Sequence, residues 1–150
     1  MSDILTDSQL SMLRDILNTL IPADNNMPGA GSVATSFIET GAKKSATTKR
    51  TILDMLATTD AVSGLNHNRS FSDISNSSRE PLLAIVEEQN RQIFSDFLNL
   101  AYDGYYTNPV VIKLLGHAAK TPQPTGFATQ PFNPSIVDQV RTLGPRFREI

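Results

Sequence analysis

The chain has 150 residues, 13 basic against 15 acidic side chains, a formal charge of −2, and neither cysteine nor tryptophan. That length makes one domain of ordinary size, which buries roughly two thirds of the surface its unfolded form exposes. The missing cysteines exclude disulfides, thiolate metal sites and a cysteine nucleophile, and without a Lys/Arg run to track a phosphate backbone no nucleic-acid partner is expected.

The opening stretch "MSDILTDSQL" lacks the basic and apolar regions of a secretory signal, and no apolar run approaches the ~20 residues of a membrane-spanning helix. As the sequence stands, a cytoplasmic protein without direct membrane insertion is expected. In "TDSQLSMLRDILNTLIP", Leu10, Leu13, Leu17, Leu20 and Ile21 fall on one helical stripe, with Thr6 or Asp7 as N-cap and Pro22 as the stop. The Asn/Pro/Gly-rich loop "ADNNMPGAG" precedes a short helix that Ser32 caps and Gly41 ends. Residues 43–62 carry Ile52, Leu53, Met55, Leu56 and Val62 toward a core. The polar stretch 63–78 reads as a loop pinned by Phe71 and Ile74. Helical spacing resumes through Leu82, Leu83, Ile85 and Val86, with Pro81 expected in the first turn, where a proline is tolerated. It continues through Ile93, Phe94, Phe97, Leu98, Ala101 and Tyr105 to an end at Gly104. After Pro109, "VVIKLLG" offers a last short helix closed by Gly116.

From Thr121, "TPQPTGFATQPFNP" has four prolines in fourteen positions, which forbids helix and favours extended backbone. A short amphipathic segment, with Ile136, Val137, Val140 and Leu143, follows. No period-2 alternation of useful length occurs, so the fold class expected is all-α: a small helical bundle over 1–120 and a Pro-rich C-terminal arm with a short helix over 121–150.

Little here points to chemistry. "GAGSVA", Gly29 to Ala34, matches the dinucleotide pattern G-x-G-x-x-A, but a helix and a loop precede it instead of the strand such a site needs. The preferred reading is a loop entering a helix. His67 and His117 are too few and too far apart for a metal pattern. Glu87 and Glu88 are adjacent on a helix and point apart; Asp96 and Asp103 have no basic companion. No catalytic residue, cofactor-binding residue or metal ligand is nominated. All three tyrosines lie in "AYDGYYTNP". At helical spacing two of them share a face, and they are either core packing at a helix end or anchors of a protein interface.

"LNTLIPADNNMPGAGSVATSFIE", followed later by "FSDFLNLAYDGYYTNP" and "LLG", resembles the gluconate 2-dehydrogenase subunit 3 family over about residues 8 to 116. The residues carrying the resemblance are Ile21, Pro22, Ala23 and Asp24, then Pro28, Gly29 and Ala30, Phe37 and Ile38, and finally Gly104, Tyr105, Tyr106 and Pro109. The resemblance implies a non-catalytic helical partner of a large flavoprotein of the glucose-methanol-choline class, with the FAD in that partner and none in this chain. It implies a role in stabilising, and chaperoning, the large subunit. Family members often carry a twin-arginine signal and some are disulfide-linked; this chain shows neither an Arg-Arg pair nor a cysteine. A periplasmic complex is then expected only if another subunit carries this one across. The partner-binding residues expected are Asp24, Tyr105, Tyr106, Asn108 and Pro109, together with Phe127, Pro131 and Phe132 of the arm, whose extended backbone can wrap a partner cheaply. The alternatives are a stand-alone helical adaptor or homodimer, and a small enzyme, which would need an acid/base pair.

Overall fold

A computed structural model describes residues 4–116, 131, 133–135, 137 and 138. Over 4–116 the chain forms α1 (Asp7–Leu20), α2 (Ala30–Val33), α3 (Thr35–Lys44), α4 (Ala46–His67), a 3-10 turn (Phe71–Asp73), α5 (Asn76–Gln89), α6 (Arg91–Tyr106) and α7 (Pro109–Leu114). No strand occurs among the described residues, and the fold is all-α.

Thr6 starts α1 through a reciprocal cap, its hydroxyl accepting from Gln9 N at 3.2 Å while the Gln9 side-chain oxygen accepts from Thr6 N at 2.9 Å. Its buried stripe is Met12, Leu13, Ile16 and Leu17, rotated from the expected one, with Leu10, Leu20 and Ile21 half-buried at its margin. The single helix expected between Ser32 and Gly41 is two, hinged at the buried Ala34. Ser32 turns its hydroxyl back to Gly29 O at 2.7 Å, and Gly41 lies inside α3, which runs on to Lys44.

Helix α4 is longer than the sequence suggested. The loop expected from residue 63 is helical through His67, because Val62 and Ser63 still face the core, and it closes where Asn68 adopts φ 52°. Phe71 and Ile74 are buried, as expected. The segment is tied to α4 by the Asp60 carboxylate, which accepts from the Ser70 hydroxyl at 2.7 Å and from Phe71 N at 3.2 Å. Since α5 starts at Asn76, Pro81 lies inside the helix and beyond its first turn. It removes the bond that Ser77 O would accept, but Ser77 is exposed and its carbonyl can turn to water.

Helices α5 and α6, expected as one run, part at Asn90 (φ −136°, ψ 49°), which serves both ends by donating to Val86 O and accepting from Phe94 N. Helix α6 passes through Gly104 and ends at Tyr106. That glycine is a packing residue: a Cβ there would stand 3.1 Å from both Ala34 Cβ and Phe37 Cδ1. Asn108 caps α7 by accepting from Val110 N at 2.9 Å, Pro109 takes the first helical position, and Gly116 (φ 79°) follows the helix.

The core draws on α1, α4, α6 and the 3-10 turn and is filled by Leu13, Ile16, Ile52, Met55, Phe71 and Phe97, all fully buried. Arg79 bridges α1 and α5. Its guanidinium meets Asp15 Oδ1 at 3.1 Å and Ser72 O at 3.0 Å and stands 5.5 Å from the Phe71 ring centroid.

Candidate docking site

The two sequence blocks most distinctive of this chain, the loop after α1 and the end of α6, meet in space. The loop is built first by Asp24. Its carboxylate accepts from Asn26 N at 2.8 Å and Met27 N at 2.7 Å, and Asp24 N donates to Met27 O at 3.0 Å, folding the polar tip back on itself. Those two amide donors hold the Asp24 carboxyl below its usual pKa, Asn26 N contributing most. Ala30 N donates to Ile21 O at 3.0 Å and closes the loop's base.

Gly29 and Gly31 are there for close approach. Gly31 N donates to Asn18 Oδ1 at 2.9 Å, and a Cβ on Gly31 would fall 2.6 Å from Asn18 Nδ2 and 2.7 Å from Arg14 O. A Cβ on Gly29 would fall 2.6 Å from Asn18 Oδ1. The G-x-G-x-x-A match thus serves helix-on-helix packing of α2 against α1, in a helix–loop–helix setting.

Tyr105 locks the far side. Its hydroxyl donates to Pro28 O at 2.9 Å across 77 residues of sequence, and its ring is 3% exposed. Burial chiefly, then the neighbouring Tyr106 and Asp24, raises the phenol's pKa above its ordinary value. Tyr105, nominated for partner contact, has its ring surface enclosed by its own chain. Asn108 likewise turns inward, donating from Nδ2 to Val33 O at 3.0 Å and capping α7 with its oxygen.

The remaining expected residues lie differently. Tyr106 is 51% exposed, its ring edge-on to Tyr105 at 5.2 Å and tilted toward Tyr102 at 6.0 Å. Tyr102, not nominated from sequence, is 43% exposed. Asp24, Pro109 and Pro131 are exposed. Phe127, Phe132 and His117 lie outside the described residues, as does most of the arm. Asn18, which buttresses the corner, escaped sequence reading, and Pro28 was named there only as part of the family pattern. A pair of glycines spaced by one residue and preceded by a helix bearing a lone inward Asn was the available signal.

Surface hollows lie around the body, and one lined by Arg14, Asn18, Gly31, Ser32 and Glu39 adjoins this corner. A second, between α1, α4 and the 3-10 turn, is lined by Ser8, Met12, Asp60, Ser70 and Asp73, with Asp60 already engaged by Ser70 and Phe71. Another, beside Arg79, is lined by Asp15, Asn18 and Glu80. Among the described residues no group of three or more His, Asp or Glu could hold a metal ion, and no helix is long and apolar enough to cross a membrane.

The fold is an all-α bundle in which long-range polar bonds hold a loop against a tyrosine-rich helix end. The family model for gluconate 2-dehydrogenase subunit 3 matches residues 7–119, and the chain belongs to that family. No curated protein and no solved structure matches it.

Proposed function

We propose that this chain is the non-catalytic small subunit of an FAD-dependent dehydrogenase of the glucose-methanol-choline class, binding and stabilising a large flavoprotein subunit that oxidises a sugar or another alcohol. The observation that carries the reading is the family match over residues 7–119, since the family's own description is that of a dehydrogenase subunit. Two features of the chain support it. Several residues of the family pattern, Asp24, Pro28, Gly29 and Tyr105, hold a surface corner in shape, which suits recognition better than turnover. The dinucleotide-like glycines pack against Asn18 and Arg14, with Gly31 N already bonded to Asn18 Oδ1, and a helix rather than a strand precedes them. In this reading the chain escorts the large subunit during folding and assembly, and the flavin chemistry belongs entirely to the partner.

Co-expression with the flavoprotein dehydrogenase of the same source, followed by affinity purification on this chain, tests the reading. The expected product is a yellow complex whose flavin travels with the larger polypeptide, while the chain purified alone carries no stoichiometric FAD or NAD. Stoichiometric cofactor on the lone chain, or alcohol oxidation by it, would overturn the proposal.

A further inference from the structure

Residue 106 and its surroundings combine three properties on one side of the molecule. Tyr102 and Tyr106 form a pair of half-exposed rings one helical turn apart on α6, backed by the buried Tyr105. The loop that Tyr105 secures through Pro28 brings an exposed carboxylate, Asp24, to the same corner, near enough to act on the Tyr105 phenol. Asp103, exposed between the two rings in sequence, supplies a second carboxylate. Over residues 92–112 the chain has Asp96 and Asp103 and no Lys or Arg. Arg91 and Lys113 flank that stretch, and a separate group of exposed cations, Lys43, Lys44, Lys49 and Arg50, lies at the α3–α4 junction.

Exposed tyrosine rings bordered by carboxylates that meet no cation among the described residues match one kind of surface. Cationic side chains stack on the ring faces, and a guanidinium can bridge to a carboxylate beside them. We propose that the Tyr102–Tyr106 pair, with Asp24 and Asp103 at its rim, is the docking face for an arginine- or lysine-bearing surface of the large dehydrogenase subunit. The proposal rests on the subunit reading above and adds the place of contact and the charge of the partner's surface. The bent loop and the fixed ring pair are held before binding, so little ordering entropy is lost on docking. Charge complementarity of this kind speeds encounter and fixes orientation.

The test places the photo-crosslinking residue p-benzoylphenylalanine at position 102, 106 or, as control, 65, where Leu65 is 87% exposed on α4. Each variant is irradiated in the co-expressed complex with the dehydrogenase. Adducts to the flavin-bearing polypeptide from 102 and 106, and none from 65, are expected. A complex that forms but crosslinks only from 65, or an adduct between two copies of this chain, overturns the docking face. In the first case the subunit function stands. Failure to form any complex with the dehydrogenase overturns the subunit reading itself. A second arm measures affinity: Asp103→Lys should weaken the complex about tenfold or more, and raised salt should weaken the parent complex, with thermal unfolding of the lone variant unchanged. Unchanged affinity in both would remove the basic-partner claim.

Discussion

Tyr105 and Tyr106 are neighbours whose rings touch edge-on, yet one is buried and the other half in water, and substitution should separate them. Tyr105→Ala removes a ring that is 3% exposed and a bond to Pro28 O, so a loss of about 3 to 5 kcal/mol in chemical denaturation is expected, as for other buried aromatics. Tyr106→Ala in the lone chain should stay within about 0.5 kcal/mol, since half its ring is already in water. The raised Tyr105 pKa fixes the sign of a pH effect. The unfolded chain ionises this phenol first, near pH 10, so the stabilisation is complete below about pH 10 and declines as pH rises toward the higher folded value. In Tyr105→Phe, unfolding midpoints measured from pH 8 to 11 should decline less steeply than in the parent. At Gly31 an added methyl would meet Arg14 O at 2.7 Å, a backbone atom that cannot swing away. Gly31→Ala should therefore cost about 1 to 3 kcal/mol by overpacking, read by the same denaturation.

Between α1 and α5 the principal tie is Arg79, whose guanidinium joins Asp15 and Ser72 O while lying against Phe71. Lysine carries the charge but not the fork, so Arg79→Lys should destabilise by about 1 to 3 kcal/mol in thermal unfolding, the range for hydrogen bonds to a charged group that is largely enclosed. The elements themselves were largely legible. Thr6, Pro22, Asn108 and Gly116 mark their boundaries through side-chain caps, a fixed φ or a missing donor, effects confined to a few neighbouring residues. What the sequence concealed depended on contacts far along the chain. Ser63 to His67 are polar enough to read as loop, yet buried neighbours carry α4 onward. Gly104 looks like a helix end and is instead the point where α6 touches Ala34 and Phe37, about seventy positions away. The break at Asn90 has neither proline nor glycine to announce it. At the docking corner, the order of the Pro-Ala-Asp, Pro-Gly-Ala and Gly-Tyr-Tyr segments was visible, but which tyrosine turns inward depends on where Pro28 O lies. Helical spacing alone contains no such coordinate.

At the scale of the whole molecule, the described residues 4–116 form a helical body, and the proline-rich sequence from Thr121 is the stretch whose removal is expected to leave that body folded. Among the described residues the buried core runs from Leu5 to Ile112, so deletion of 121–150 should leave cooperative thermal unfolding and a helix-dominated circular dichroism spectrum. Loss of cooperativity would show that the arm contributes to the core. The same truncation in the complex separates the two proposed contact regions: if Phe127 and Phe132 wrap the large subunit, affinity falls while the body stays folded. The central claim concerns assembly, and light scattering with simultaneous flavin absorbance, on this chain co-purified with the dehydrogenase of its source, tests it most directly. The account predicts that the chain elutes with the flavoprotein at a fixed mass ratio and that Tyr106→Ala moves it from that peak to a folded, colourless lone species. A parent chain that elutes apart from the flavoprotein at concentrations well above micromolar would contradict it.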